Sequence, residues 1–172
     1  MKEITQGEFK ENVFNIIGKE WMLVTAKSQG RVNTMTASWG GLGIMWGKPV
    51  AFVFIRPERY THEFIEHEER FTLSFLGEGM HREAYRLLGT KSGRDCDKIA
   101  ESGLHLTETP EEQPTFSEAR LTLVCRKLFK SPLRPEEFID KKCLSDWYND
   151  KPGGSLHDLY IVEIEHIYKS EE

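Results

Sequence analysis

The chain has 172 residues, of which 38% are hydrophobic and 30% charged, a composition typical of globular proteins and unlike that of disordered or fibrous ones. Its formal net charge of -5 disfavours nucleic acid and anionic lipid surfaces as partners. The N-terminal stretch is too polar for a signal peptide, and no apolar run approaches the roughly 18 residues that a membrane span requires. We therefore expect a cytoplasmic protein, not bound to membranes, that folds as a single domain over residues 1–172.

The first elements follow from the spacing of apolar residues. Within 9–17 these residues recur at helical spacing and are followed by Gly18, which predicts a short helix. Residues 21–26 and 32–37 flank a polar loop and predict an antiparallel hairpin. The nearly continuous apolar run 49–55 predicts a central strand that is covered on both faces.

The rest of the chain alternates short helices with strands. After a helix at 61–69 and a strand at 71–75, the charged segment 77–103 predicts a helical insertion with helices at 82–88 and 95–101. Six or seven strands with hairpin connections predict a mainly β fold, an antiparallel β-barrel with helical insertions. The last elements expected are strands at 104–106, 119–128 and 159–167 and a short helix at 135–140.

The spacing of cysteine and histidine predicts no metal site. Cys96, Cys125 and Cys143 are far apart and odd in number, so we expect reduced and mostly structural thiols. His62 and His67 would point away from each other on a helix, and we interpret both as solvated positions on a helix surface.

One candidate phosphate site follows the apolar strand 49–55. Arg56 lies at the strand end, and Thr61 lies where the next helix is expected to begin. Free N–H groups and the positive end of the dipole make a helix N-terminus suitable for a phosphate. The alternative is that Arg56 pairs with a surface acid and that Thr61 caps its helix.

The stretch TASWGG, residues 36–41, ends the hairpin and offers hydroxyls, accessible backbone N–H groups and two glycines. Glycines permit positive φ or let another group approach the backbone closely. Neither a dinucleotide fingerprint nor a P-loop is present around GGLG at 40–43. If this strand end and Arg56 meet at one rim of the barrel, a planar heteroaromatic ligand with a phosphate tail would span them.

The order of these stretches resembles the flavin reductase-like family, the FMN-binding split barrels that include flavoredoxin. The resemblance extends over residues 20–168, and it depends on the order and separation of several short motifs, since each alone is common. The stretches that carry it are Asn33 to Gly41, Trp46 to Pro49, Arg56 to Thr61, Phe71 to Phe75, Ser92 to Ile99, Glu118 to Leu121 and His157 to Ile164.

The resemblance implies a split β-barrel, FMN as cofactor, reduction by NADH or NADPH, and a homodimer with flavin near the subunit interface. Backbone N–H groups at Ala37 and Ser38 would meet the polar edge of the flavin. Trp39 would wall the ring or the dimer contact, with core packing as the alternative. The implied cofactor-binding residues are Thr34, Met35, Thr36, Ala37, Ser38, Trp39, Arg56, Tyr60, Thr61, Ser74, Lys91 and Arg94.

Two further groups have one functional and one structural interpretation each. Lys91, Arg94 and Lys98 form a cationic group that contacts either the FMN phosphate or a nicotinamide nucleotide, from this subunit or its partner; the alternative is a solvated helix face. His157 matches the late histidine of the family, which implies a donor or proton shuttle at the flavin; the alternative is a structural histidine.

Three functions are compatible with these residues. The first is an oxidoreductase that passes hydride from NAD(P)H to bound FMN and electrons onward to an acceptor. The second is an electron carrier whose FMN is reduced by a partner protein. The third is a split-barrel module that binds flavin or haem without turnover.

Overall fold

The computed structural model describes residues 1–148 and 155–171. Five α-helices and ten strands occur in these residues, together with two 3-10 turns and a π-helical turn at Ile16–Glu20. The α-helices are α1 (Val13–Asn15), α2 (Tyr60–His67), α3 (Arg82–Thr90), α4 (Lys98–Ser102) and α5 (Lys141–Tyr148). The strands are β1 (Lys2–Glu3), β2 (Met22–Ser28), β3 (Arg31–Ala37), β4 (Gly40–Met45), β5 (Lys48–Ile55), β6 (Arg70–Phe75), β7 (Leu106–Glu108), β8 (Pro114–Phe116), β9 (Leu121–Pro132) and β10 (Asp158–Lys169).

The main sheet is antiparallel and has its two edges next to each other in the chain. Its hydrogen-bonded order is β3-β2-β6-β9-β10-β5-β4, and β1 adds to one end of β10. The edge strands β3 and β4 are joined by only two residues, Ser38 and Trp39. Because so short a connection keeps the two edges together, the sheet curls into a barrel that is open between β3 and β4. This confirms the predicted antiparallel split barrel with helical insertions.

Two hydrophobic cores lie on opposite faces of the sheet. The barrel interior is filled by inward side chains such as Val24, Phe71 and Leu123, all of which are buried. The insertion covers the outer face of β2 and β3, where Tyr85 and Leu88 of α3 belong to the second core together with Leu23. The period of two along each strand accounts for this division, since alternate side chains point to opposite faces.

Several predicted elements have other bounds in the structure. Strand β4, with three glycines, was not predicted, and it forms because Gly40 to Met45 pair with β5 in continuous register. Strand β5 is therefore next to an edge strand, and Phe54 on its outer face stays partly exposed, which corrects the expectation of a central strand covered on both faces. The first helix begins later than expected, at Val13, because the Asn12 side chain accepts from the N–H groups of Phe14 and Asn15.

The prediction of a helix at 135–140 is wrong. Only a 3-10 turn occurs at Pro135–Glu137, because Phe138 leaves the helical region with φ -70 and ψ 110. The regular helix of this segment is α5, which begins at Lys141. Within the described residues, no helix is long and apolar enough to cross a membrane.

Candidate functional site

A cavity of 210 Å³ lies beside the connection between β3 and β4. Its lining comes from the end of β3, from β5, from the turn before α2 and from the residue that precedes β10. The structure therefore brings the two predicted strand ends to one rim of the barrel, with His157 between them. The lining residues are Met35, Thr36, Ala37, Ser38, Trp39, Phe54, Arg56, Arg59 and His157.

Gly40 is required at this rim by close packing of the backbone. Its φ is 149, and a Cβ at this position would lie 2.5 Å from the carbonyl oxygen of Phe52. A non-glycine residue is excluded by both the conformation and the contact. The first glycine of TASWGG thus lets β4 approach β5 and places Trp39 at the cavity.

Aromatic side chains form one wall of the cavity. The Trp39 ring lies 5.0 Å from the His157 ring and 5.2 Å from the Trp147 ring, measured between centroids. The hydroxyl of Tyr148 lies 2.8 Å from Nδ1 of His157. Trp147 and Tyr148 belong to α5, so the last turn of this helix closes the aromatic group from outside.

His157 is neutral at physiological pH. Burial and the nearby charge of Arg56 lower its pKa to about 4, because both disfavour the imidazolium. A neutral imidazole both donates and accepts hydrogen bonds, so His157 is able to hold a proton at one nitrogen and accept at the other.

The two arginines at the cavity differ in their partners. The Arg56 guanidinium lies 5.2 Å from the centre of the Tyr148 ring and donates to the Trp147 carbonyl at 3.2 Å. The Arg59 guanidinium donates to the carbonyls of Gly89 at 2.7 Å and of Leu88 at 3.2 Å. Burial lowers the pKa of Arg59, yet no carboxylate of the described residues forms an ion pair with it.

Lys98 lies beside Arg59 and is almost completely buried. Its Nζ donates to the carbonyls of Leu88 at 3.0 Å and of Lys91 at 3.1 Å, and it too forms no ion pair within the described residues. Burial and the charge of Arg59 lower the pKa of Lys98 to about 8. Two cations thus converge on the C-terminal end of α3, where the helix dipole favours positive charge.

Three of the predicted hydroxyl ligands lie in the interior. Thr34 is hydrogen-bonded to Thr25 at 2.8 Å, and Ser74 to Thr115 at 3.0 Å. Thr61 is buried in the first turn of α2 and accepts from Asn33 Nδ2 at 2.8 Å, while the N-cap of that helix is Arg59. The structure does not bring these three side chains to the cavity, and we leave them out of the proposed site.

A second cavity, of 840 Å³, lies between α2, the start of β3 and the insertion. Tyr60, Arg94, Arg31 and Lys98 line it. Arg94 stacks over the Tyr60 ring at 4.7 Å and is paired with Glu63. Lys91 is paired with Glu101 on the surface and lines neither cavity. The predicted ligands Tyr60 and Arg94 therefore line the larger cavity together and do not line the smaller one.

The expectation that His62 is solvated is wrong. Its Nε2 lies 2.8 Å from Oδ2 of Asp158, and the two side chains are only 12% and 8% exposed. The pair joins the first turn of α2 to the first residue of β10, next to His157. Within residues 1–148 and 155–171 no group of three or more His, Cys, Asp or Glu side chains is arranged to hold a metal ion, and the three cysteines are free.

Sequence reasoning missed four residues around the small cavity. Phe54 lies in a continuous apolar run that gives no sign of a cavity, and Arg59 lies between Arg56 and Thr61, the two residues to which the sequence assigns a phosphate. Trp147 and Tyr148 were missed because the helix that carries them was placed too early in the chain. A signal for α5 was present, since Leu144, Trp147 and Tyr148 recur at helical spacing.

The split barrel, its helical insertion and a cavity at the open edge together define a fold class that is shared with known flavin-binding proteins. The chain belongs to the flavin reductase like domain family, whose model matches residues 15–172. This confirms the resemblance noted in the sequence. No curated protein matches the chain.

Solved structures of similar fold come from several organisms. An FMN-binding domain of a flavin reductases-like enzyme from Shewanella baltica is 20% identical with a TM-score of 0.69, over 98% of this chain and 76% of that one. Flavoredoxin from Methanosarcina acetivorans is 22% identical with a TM-score of 0.66, over 98% and 77%. The NADH:FAD oxidoreductase of Streptomyces globisporus, solved with NAD and FAD fragments, is 16% identical with a TM-score of 0.61, over 88% and 75%.

Proposed function

We propose that this protein binds FMN at the open edge of its barrel and is a flavin-dependent oxidoreductase that takes electrons from NADH or NADPH. The observation that carries the proposal is the cavity formed by residues 35–39 with Arg56, Arg59 and His157, in a chain that belongs to the flavin reductase like family. Flavin-binding and nicotinamide-binding proteins among the structures of similar fold support it.

The donor set around the small cavity fits a flavin nucleotide. The backbone at Ala37 and Ser38 offers polar groups without bulky side chains, and Trp39 with Phe54 offers apolar surface. Arg59 and Lys98 are cations with carbonyl partners only, so an anion stabilises them where no protein carboxylate does. We therefore assign the phosphate of FMN to Arg59 at the small cavity and to Lys98, which lines the larger cavity and shares the Leu88 carbonyl with Arg59, with Arg56 as a further cation.

Bound FMN supplies hydride and single-electron chemistry that side chains lack. The residues of this chain bind and orient the cofactor, and catalysis depends mainly on positioning. His157, being neutral, holds a proton at the cavity without adding positive charge. We assign it the role of hydrogen-bond donor or proton carrier at the flavin.

The larger cavity suits the nicotinamide nucleotide. It is wide enough for a ligand of that size, since binding cavities are typically about 300–1,000 Å³. Arg31 and Arg94 give it positive charge, and Tyr60 and Phe64 give it aromatic surface. We propose that Arg94 contacts a phosphate of the nucleotide after leaving Glu63.

One experiment tests this function directly. The absorbance spectrum of the purified protein, with FMN added where needed, is expected to show bound flavin, and anaerobic titration with NADH and with NADPH is expected to bleach it rapidly. A haem spectrum, or a protein that stays colourless after dialysis against FMN, would overturn the proposal.

A non-catalytic electron carrier is the second candidate function. It is favoured by the contact between Trp39 at the cavity and Trp147, which is 57% exposed, because this pair leads from the site to the surface. A flavoredoxin among the structures of similar fold supports it as well. Slow bleaching by both nicotinamides together with fast reduction by a ferredoxin would favour the carrier.

A cytoplasmic location stays a prediction.

We also propose that the protein is a homodimer. Ile44, Trp46 and Phe129 are exposed, and the last two lie 6.4 Å apart between ring centroids. An apolar surface of this kind is typical of protein contacts. Light scattering during gel filtration gives the mass in solution, and a monomeric mass at micromolar concentration would contradict the dimer.

A further inference from the structure

Helix α5 is held at its last turn by residues that line the small cavity. None of its residues 141–148 is buried, and a helix of this length is not stable in water by itself. Trp147 packs edge-on against Trp39, and the hydroxyl of Tyr148 is hydrogen-bonded to His157. Both aromatic residues are also contacted by Arg56. The position of α5 therefore depends on the site itself.

The small cavity has little room. Its volume of 210 Å³ is below the range of about 300–1,000 Å³ that is typical of ligand pockets. Arg56 and His157 face this cavity, but both are engaged by Trp147 and Tyr148. A ligand that uses Arg56 or His157 thus competes with the last turn of α5.

We infer that Trp147 and Tyr148 are specificity-determining residues that control how large an electron acceptor reaches the bound flavin. This inference rests on the proposed function. Trp147 packs on Trp39, which lines the cavity, and is 57% exposed, so small acceptors pass beside the two side chains and bulky acceptors are kept away. When FMN engages Arg56 and His157, Trp147 and Tyr148 exchange their contacts with these two side chains for contacts beside the flavin and stay at the entrance of the site.

The first test follows Trp147 without measuring activity. The protein has four tryptophans, and labelling with 5-fluorotryptophan gives a 19F resonance for each, which Trp147→Phe and Trp46→Phe assign. Titration with FMN is expected to shift the Trp147 resonance, while the resonance of Trp46, at the β4–β5 turn, stays in place. An unchanged Trp147 resonance in the presence of saturating FMN would overturn the inference.

The second test compares two acceptors on the FMN-loaded, reduced protein. Reduced flavin gives two electrons and two protons to one molecule of p-benzoquinone, or one electron to each of two cytochrome c molecules with release of the two protons to solvent. The double variant Trp147→Ala, Tyr148→Ala is expected to reduce cytochrome c at least about tenfold faster, with less than a twofold change for the quinone. Equal changes for both acceptors would overturn the size selection.

Phe14→Ala provides the matched control. Phe14 is an aromatic residue on α1 that is 90% exposed, and its removal is expected to change neither the rates nor the 19F response. Failure of the proposed function and failure of the role of α5 give different results. If wild-type protein does not bind FMN, the proposed function fails; if it binds FMN but the Trp147 resonance and the acceptor ratio do not respond, only the role of α5 fails.

Discussion

Arg59 and Lys98 donate to the same carbonyl oxygen, that of Leu88, at 3.2 and 3.0 Å. Lys98 is only 3% exposed, and neither cation forms an ion pair with a carboxylate of the described residues. By contrast, Lys91 and Arg94 are paired with Glu101 and Glu63. Holding two like charges together in a poorly solvated place costs free energy that an anionic ligand offsets. This relationship favours Arg59 and Lys98 over Lys91 and Arg94 as the phosphate site.

Arg59→Gln is expected to weaken FMN binding about tenfold to a hundredfold and to leave riboflavin binding nearly unchanged. A hydrogen bond to a charged group contributes about 1.5–3 kcal/mol, and riboflavin lacks the phosphate that would receive it. Calorimetric titration of both ligands measures the difference. Because Arg59 also binds the end of α3, the melting temperature of the variant must be compared with that of wild type.

Arg94→Gln is the control for this comparison, since Arg94 is an ion-paired arginine outside the small cavity. Its FMN affinity is expected to stay within about twofold of wild type. Equal losses of FMN and riboflavin affinity in Arg59→Gln would contradict a phosphate contact and indicate a structural role. Arg56→Ala is expected to have a smaller, FMN-specific effect, because Arg56 is stacked on Tyr148.

The FMN affinity of the wild-type protein is expected to fall as the pH rises through about 8. Lys98 has a pKa of about 8 in the folded protein, so it is cationic below this pH and neutral above it. FMN phosphate is already dianionic in this window, since its second pKa is near 6. Fluorescence titration between pH 7 and 9.5 is expected to show about a tenfold increase in Kd, equivalent to ~1.4 kcal/mol. In Lys98→Met the Kd is expected to be larger than in wild type and independent of pH. An unchanged pH dependence in that variant would exclude Lys98 as the titrating group.

The free energy of unfolding of the FMN-free protein is expected to fall in acid because of His157. The folded-state pKa of about 4 lies below the ordinary value of 6.5, so between these values the unfolded chain binds the proton first. The contribution of His157 is thus fully present above pH 6.5, is lost as the pH falls toward 4, and does not change further below it.

Because solvent screens the partly exposed ring, the size of this loss is about 1–2 kcal/mol. It is measured as the difference in the free energy of unfolding between wild type and His157→Gln, followed by urea denaturation from pH 7 to pH 4. The subtraction removes the other titrating groups. A difference that stays constant over this range would show that His157 titrates normally in the folded protein.

The sequence predicted the placement of candidate site residues where neighbouring residues determine it. Residues 35–39 and Arg56 were placed at one rim because each follows a clear strand, and the structure brings them to one cavity. Side-chain direction was not predictable in the same way. Thr34 and Thr36 are two residues apart and so lie on the same face of β3. The hydroxyl of Thr34 is nevertheless hydrogen-bonded to Thr25 of the neighbouring strand, whereas that of Thr36 donates to the Tyr85 carbonyl of α3 at 2.6 Å.

Partners that are distant in the chain were also beyond local patterns. The carbonyls that bind Arg59 lie at the end of α3, and the carboxylate that holds His62 lies at the start of β10. Strand β4 was missed because glycine lowers β propensity, although pairing with β5 overrides that preference. In each case the tertiary contact, and not the local sequence, determines the structure.

The connection between the barrel edges gives the last prediction, Gly40→Ala. With φ at 149 and a Cβ that would lie 2.5 Å from the Phe52 carbonyl oxygen, alanine forces β4 away from β5. Backbone strain of this kind costs about 1–3 kcal/mol, and the displaced strand adds to it, so the free energy of unfolding is expected to fall by at least about 2 kcal/mol. Because Trp39 precedes this residue, FMN affinity should fall as well.

Gly41→Ala is the matched control, since its added Cβ would meet only the Phe52 ring at 3.7 Å, an ordinary contact. Its free energy of unfolding is expected to stay within about 1 kcal/mol of wild type. Urea denaturation of the three proteins gives the comparison. If Gly40→Ala and Gly41→Ala were equally stable, close approach of the backbone would not be the reason for glycine at the start of β4, and Trp39 would owe its place at the cavity to its aromatic neighbours alone.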